Sequence, residues 1–228
     1  MSSELEELRE VIAMVTHQLK TPLTSLLGYA SVLRRKAEQL TTEQQQEYIG
    51  VIEEQAGRIL KLVEELLASA RLETAKGLQR KPLDLAGLAR DISAEFSTAR
   101  DREISVDAPS KDLGLFGDPG ALEHVIGNLL DNAIKYSDPG SAVVVVVSEG
   151  EGEVFVSVSD EGRGIDREQL ELIFERYHRA SDEGSKGSAG LGLYIVRNLV
   201  AAHGGRVWAE SEVGKGTVVT FSLPRRRG

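Results

Sequence analysis

The 228-residue chain has no cysteine, so it can build neither a disulfide framework nor a thiolate metal site, and it fits a reducing compartment. It has no apolar stretch near the roughly 20 residues that a membrane-spanning helix needs, and its opening, MSSELEELRE, is too acidic for a signal peptide. A soluble, cytoplasmic segment without membrane contact is expected. Clustered cations are also scarce. The formal net charge is −9, and the one basic run, Arg225 to Arg227, reads as a solvated tail, which argues against nucleic-acid or anionic-membrane partners. What remains is ordinary globular composition, 41% apolar and 28% charged, enough for one or two domains with real cores.

From Leu5 onward the apolar residues Leu5, Leu8, Ile12, Val15, Leu19, Leu23, Leu26, Ala30, Leu33, Ala37 and Leu40 recur at steps of three and four, which marks one face of a long helix. Two consecutive steps of four, Val15 to Leu19 to Leu23, form a stutter that surrounds His17. A polar turn follows, with Thr42 as the expected N-cap, and Tyr48, Ile52, Ile59, Leu62, Leu66 and Leu67 mark a second helix to about Leu72. Two helices cannot bury both apolar faces alone. A homodimer closing a four-helix bundle is therefore expected.

The pattern changes near Gly77, so residues 1–76 and 77–228 are expected as separate domains. In the second, strands are expected at Ile104 to Asp107, Ser141 to Ser148, Val154 to Asp160, Arg206 to Glu210 and Thr217 to Leu223. Helices are expected at Leu85 to Ala99, Gly120 to Tyr136, Arg167 to Phe174 and Leu191 to His203. Without strict βαβ alternation, and with a hairpin turn at Glu149 to Glu153, this reads as a mixed sheet with helices on one face.

Within the second domain, His124, Asn128, Asp131, Asn132 and Lys135 share roughly a quarter of a helical wheel whose remainder is apolar. Asn is a poor helix former, so two of them at i and i+4 suggest a polar site: the amide oxygen suits a hard cation and Lys135 a phosphate. SDEGRGID follows a valine-rich strand and carries Asp160, Gly162 and Gly164. The glycines allow close approach of a ligand, although a tight strand-to-helix turn explains them as well. SDEGSKGSAGLGLYIV places Gly184, Gly187, Gly190 and Gly192 before an apolar helix, which fits either a phosphate cradle or a flexible loop. Its spacing is neither the Walker nor the Rossmann pattern.

His17 lies almost opposite the Val15 and Leu19 seam, facing solvent, with Thr21 one turn later. Pro22 removes a hydrogen bond to the Gln18 carbonyl and is expected to bend the helix beside the histidine. A surface histidine is usually incidental. The proline, the stutter and a separate nucleotide-like domain weigh against that here.

With these residues in view, the chain resembles the catalytic core of a bacterial sensor histidine kinase. HQLKTPL resembles the H box, NLLDNAIKYS the N box, DEGRGI the G1 box, IFERYHR the F box and GSAGLGL the G2 box, in order and across essentially the whole chain. The implied fold is an α-helical hairpin, dimeric as a four-helix bundle, followed by an α+β two-layer sandwich of the GHKL or Bergerat type shared with gyrase, Hsp90 and MutL.

The resemblance also implies roles. His17 would accept a phosphoryl group from Mg-ATP, Asn128 and Asn132 would contact phosphates and Mg²⁺, with Asn132 the usual metal ligand, and Lys135 and Tyr136 would touch nucleotide. Asp160 would accept from the adenine amino group, Gly162 and Gly164 would shape its pocket, and Arg179 would approach the phosphates. Gly190 and Gly192 would let a lid of about residues 178–189 close. Neutral imidazole offers a lone pair near pH 7 for in-line attack on the γ-phosphorus, and the group would pass on to an aspartate of a response-regulator receiver domain. Relatives usually carry sensor and membrane segments upstream of the hairpin, through which a full-length protein would be anchored.

Two departures stand out. Most relatives carry Glu or Asp directly after the histidine, where this chain has Gln18, which can accept from the ring but cannot take a proton. Thr21 matches the position that orients water for dephosphorylating the partner, so phosphatase activity is expected intact and kinase activity weakened. Ala121 and His124 stand where relatives often have Arg and Gln. The competing readings are a silent scaffold that binds ATP and a receiver domain, or a pure phosphatase. A chaperone-like or anti-sigma ATP-binding protein would lack the hairpin.

Overall fold

The computed structural model describes residues 2–73, 78–109, 113, 115–176, 178 and 190–225, without the side chains of residues 2–12, 14, 61 and 64–73. The boundary expected near Gly77 and Arg179 of the expected site lie outside the described residues, as does nearly all of the expected lid. The chain forms two compact units, taken here one at a time.

The first unit is the hairpin of α1 (Ser2–Lys36) and α2 (Thr42–Glu73), joined through a 3-10 turn at Ala37–Gln39. Helix α1 continues through Pro22, which is buried, whereas Leu23 of the expected seam is 44% exposed. The expected cap at Thr42 moves by one residue. Thr41 Oγ1 accepts from Gln44 N–H at 3.2 Å and Gln44 Oε1 accepts from Thr41 N–H at 3.1 Å, a reciprocal capping box that frees Thr42 to be the first helical residue. Gln45 Nε2 closes the connection by donating to Ala37 O at 2.8 Å. Tyr29 and Tyr48 meet edge to face, centroids 5.1 Å apart, and fix the pairing of the two helices.

In the second unit a five-stranded sheet has the order β2-β4-β5-β7-β6 (strands numbered in chain order). The strands are β2 (Ile104–Asp107), β4 (Val143–Glu149), β5 (Glu153–Asp160), β6 (Arg206–Glu212) and β7 (Gly216–Pro224). Only β2 and β4 pair in parallel. The sequence missed a small second sheet of β1 (Lys81–Leu83) and β3 (Leu115–Gly117). Register puts Val145 opposite Val158, and Val156 opposite Phe221, on one buried face. Helices α3 (Leu85–Arg100), α4 (Pro119–Tyr136) and α5 (Gly192–Ala202) cover that face. The helix expected over Arg167 to Phe174 is instead two 3-10 turns, Arg167–Gln169 and Leu172–Phe174. Eight residues give too few α-helical hydrogen bonds to offset nucleation, and Asp166 caps the first turn by accepting from Glu168 N–H at 3.2 Å.

His203 ties α5 to α4. Its Nε2 accepts the Asp118 N–H at 3.0 Å, which leaves Nδ1 as the donor to Leu199 O at 2.7 Å. The ring is thus neutral, and burial holds its pKa below the ordinary 6.5. Nearby Arg80 pushes the same way, while the Leu199 carbonyl and Asp118 oppose it. Since the folded state binds fewer protons than the unfolded one between the depressed value and 6.5, the contribution to stability is full above 6.5 and lost as pH falls through that window. The expected result is a melting temperature that drops on acidification through this window, with a flatter pH dependence in His203→Gln, measured by thermal unfolding against pH.

Candidate functional site

Helix α4 forms where Asp118 caps it, accepting from Ala121 N–H at 3.2 Å, and Pro119 occupies the first turn. Leu122, Val125, Ile126, Leu129, Leu130 and Ala133 bury most of its circumference. The polar stripe that remains is narrower than expected. Asp131 leaves it for an ion pair with Arg100 of α3, at 3.0 Å. His124 stays half-buried, and its carbonyl accepts from Asn128 Nδ2 at 3.0 Å.

That bond sets the Asn128 amide so that its Oδ1 faces α5. A Cβ added at Gly192 would come within 2.9 Å of this oxygen, which places buried Asn128 directly under the first turn of α5. Among the described residues no side chain caps that turn, which leaves its N–H groups and the positive end of the helix dipole to an anion. Gly190, just before it, has φ +66. Asn132, one turn along α4, is half-buried and makes no side-chain hydrogen bond among the described residues.

At the other end of the stripe, the loop after β5 docks on the last residue of α4. A Cβ at Gly162 would overlap the Tyr136 carbonyl oxygen, and Arg163 N–H approaches that oxygen at 3.4 Å. At Gly164, φ is +71 and a Cβ would overlap the Glu212 carbonyl, so a side chain is excluded by both conformation and space. Lys135 Nζ lies 4.9 Å and the Arg163 guanidinium carbon 5.1 Å from the Tyr136 ring centroid. Replacing Gly162 with Ala is expected to cost roughly 1–3 kcal/mol of stability, as overpacking does. Thermal unfolding of the variant beside the wild type checks it.

Asp160 ends β5 on the helix-covered face, opposite Val143 and Thr217. Its Oδ1 accepts from Gly162 N–H at 2.8 Å. Burial raises its pKa above the ordinary carboxylate value, opposed by the backbone N–H bonds of Gly162 and Thr217. The carboxylate accepts from Gly162 N–H in a half-buried place with acceptor capacity to spare. Sequence reasoning missed the residues behind it. Ser211 Oγ accepts from Ile165 N–H at 2.8 Å and lies 3.0 Å from Thr217 Oγ1, pinning the glycine loop to the sheet. The only local signal was the glycine pair Gly214 and Gly216 ahead of Thr217.

The structure thus brings Asn128, Asn132, Lys135 and Tyr136 to one side of α4, with Gly192 at one end and Asp160, Gly162 and Gly164 at the other. In the first unit, His17 and Thr21 are both exposed and Gln18 is half-buried. Thr21 Oγ1 donates to the His17 carbonyl at 3.3 Å.

Residues 117–227 match the family described as histidine kinase-, DNA gyrase B-, and HSP90-like ATPase, and residues 7–75 match the His Kinase A (phospho-acceptor) domain. Sensor histidine kinase WalK of Bacillus subtilis (strain 168) is 32% identical over 96% of this chain and 37% of its own length. The chain belongs to the sensor histidine kinases. Among solved histidine kinases, full-length ShkA in complex with AMPPNP is 31% identical with a TM-score of 0.68, over 96% of this chain and 46% of that one. Histidine kinase ThkA in complex with response regulator protein TrrA is 26% identical with a TM-score of 0.73, over 99% of this chain and 64% of that one. This histidine-kinase core therefore spans less than two thirds of each of these three relatives.

Proposed function

We propose that this chain is an autokinase core: unit two holds Mg-ATP along α4, and its terminal phosphoryl group is transferred to His17 of the hairpin. The observation that carries this reading is the run of complementary groups along one helix side. An uncapped helix N-terminus over Asn128 suits phosphates, and half-buried Asp160 suits the adenine amino group. The AMPPNP complex of ShkA supports the ligand class. Arg179, Gly190 and Gly192 are proposed to complete the phosphate end, and residues 1–76 and 77–228 to act as the phosphotransfer and ATP-binding domains.

Described residues offer no cluster of three acidic or histidine ligands for a metal. That fits a magnesium ion, which takes one or two protein oxygens and otherwise water and phosphate oxygens, with Asn132 as the protein ligand. Bound there, it would offset charge on the phosphates. In the transfer, a nitrogen lone pair of His17 attacks the γ-phosphorus in line. The bond to the β,γ-bridging oxygen breaks, ADP leaves, and the ring proton passes to solvent. Lys135 is proposed to balance the leaving charge, and Tyr136 to contact nucleotide.

The phosphoryl group is proposed to pass on to the aspartate of a response-regulator receiver domain, a partner class supported by the ThkA–TrrA complex. Homodimerisation is supported by apolar residues that the hairpin leaves exposed, Leu27 at 65% and Leu60 at 60%. Among the described residues no helix is long and apolar enough to cross a membrane.

A second reading rests on Gln18 and Thr21: a kinase-weak chain whose dominant activity is removing phosphate from its partner. The Thr21 bond to the His17 carbonyl is long and solvent-exposed, so the hydroxyl can exchange it for a water. The deciding experiment is incubation with γ-labelled Mg-ATP. Acid-labile, base-stable label on the wild type and none on His17→Ala supports the kinase. No label on either, with ATP still bound and a phosphorylated receiver domain dephosphorylated, leaves only the second reading.

A further inference from the structure

One concave surface plays no part in the nucleotide site. Among the described residues strand β6 is the sheet's edge and pairs only with β7, in a register that runs unbroken from Arg206 opposite Ser222 to Glu212 opposite Gly216. Long edges are usually blunted by proline, a bulge or charged side chains; β6 has neither of the first two, and its charges Arg206 and Glu212 are paired with Glu153 and Lys215.

A groove of about 830 Å³ lies along this edge, with Leu170, Leu172 and Phe174 from the 3-10 turns on one wall and Val207, Trp208 and Ala209 on the other. Successive side chains of a strand point to opposite faces. Three consecutive residues can therefore line one groove only where it meets the strand's edge and its outward backbone N–H and C=O groups. The opposing wall is apolar, and Leu172 remains 42% exposed.

Charge narrows the occupant. Glu168, Glu171 and Glu175 line the groove with Arg167 and Arg197, and the 2.9 Å pair of Glu175 with Arg197 leaves two carboxylates against one guanidinium. On the opposite face of β6, Glu210 accepts from Trp208 Nε1 at 3.2 Å and the Arg206 guanidinium carbon lies 5.6 Å from the same ring centroid, so those two charges offset each other.

We propose that this edge docks an extended segment of a partner protein, alternating aliphatic with basic residues, which joins β6 as a sixth strand. Main-chain hydrogen bonds give affinity in this mode. The apolar wall takes every second side chain, and the acidic rim favours Lys or Arg between them.

The test selects random decapeptides on phage against the full chain, with Leu172→Asp as counter-selection. Leu172 is exposed and belongs to neither the nucleotide site nor the phosphoacceptor helix, so unchanged melting and ATP binding establish that the variant is folded. The expected result is a set of peptides alternating Val, Ile or Leu with Lys or Arg, bound at least tenfold more weakly by Leu172→Asp and shifting the backbone amide resonances of β6. Peptides that bind both proteins equally, recovered sequences with helical i, i+3, i+4 spacing, or no recovery above the unselected library would each overturn it. Because ATP binding is read separately, these outcomes do not depend on the kinase reading.

Discussion

Replacing Gln18 with Glu is expected to raise the rate of His17 phosphorylation by about 10²- to 10⁴-fold, the range a positioned general base contributes. Gln18 is half-buried beside the exposed His17, and no hydrogen bond joins them in the structure. Residues i and i+1 on a helix diverge in direction, so contact has to arise as the imidazole turns toward the incoming phosphoryl group. At that moment positive charge develops on the ring. A carboxylate there accepts the ring N–H, opposes that charge and takes the proton, whereas the amide only accepts. The effect should therefore fall on the chemical step and leave nucleotide affinity unchanged. Initial rates of label incorporation at saturating Mg-ATP measure it. A Gln18→Glu rate equal to wild type would mean that the proton leaves unaided, and the inferred kinase weakness would have to be abandoned.

How much of this was legible beforehand depends on how local each signal is. The helices α1 and α2 and the valine-rich β4 follow from periodicity within a few residues of each position. Strands β1 and β3 did not show, because three-residue strands carry no measurable alternation and Pro82 argues against one. Thr41 and Thr42 are equally good capping residues by type. Only the reciprocal bond with Gln44 separates them. Asp131 looked like a member of the site by its place on the wheel, yet Arg100, 31 residues earlier, claims it.

The candidate site was legible as a set of positions but not as an arrangement. Nothing in the sequence near Asn128 announces that Gly192 will lie against it, since the contact depends on α5 packing on α4. The environment of Asp160 is likewise non-local. The Thr217 backbone N–H, which lowers its pKa alongside that of Gly162, arrives through the register of β5 with β7, 57 residues away (217 − 160). This is also why the direction of its pKa shift could not be anticipated: burial raises it more than the two backbone bonds lower it.

That balance makes Asp160 the place where a one-atom change should cost most in binding. Asp160→Asn is expected to weaken ATP by about 10²- to 10³-fold, the cost of a lost charged hydrogen bond together with a donor facing a donor. The carboxylate accepts from Gly162 N–H and keeps capacity for the adenine amino group proposed to bind there. An amide has one oxygen. If it keeps Gly162 N–H, its NH₂ faces the adenine NH₂; if it turns toward the base, its NH₂ meets the backbone donor. The same carboxyl sets a pH limit. A pKa raised from 3.8 means that the site gains a proton as pH falls, before an ordinary aspartate would, and the protonated form loses the acceptor that adenine needs. In wild type, ATP affinity should therefore fall on acidification toward that raised value, while the weak binding by Asp160→Asn stays comparatively flat. Calorimetric titration of both proteins with ATP across this range measures the two effects together. Equal affinities at neutral pH would show that the base is read elsewhere.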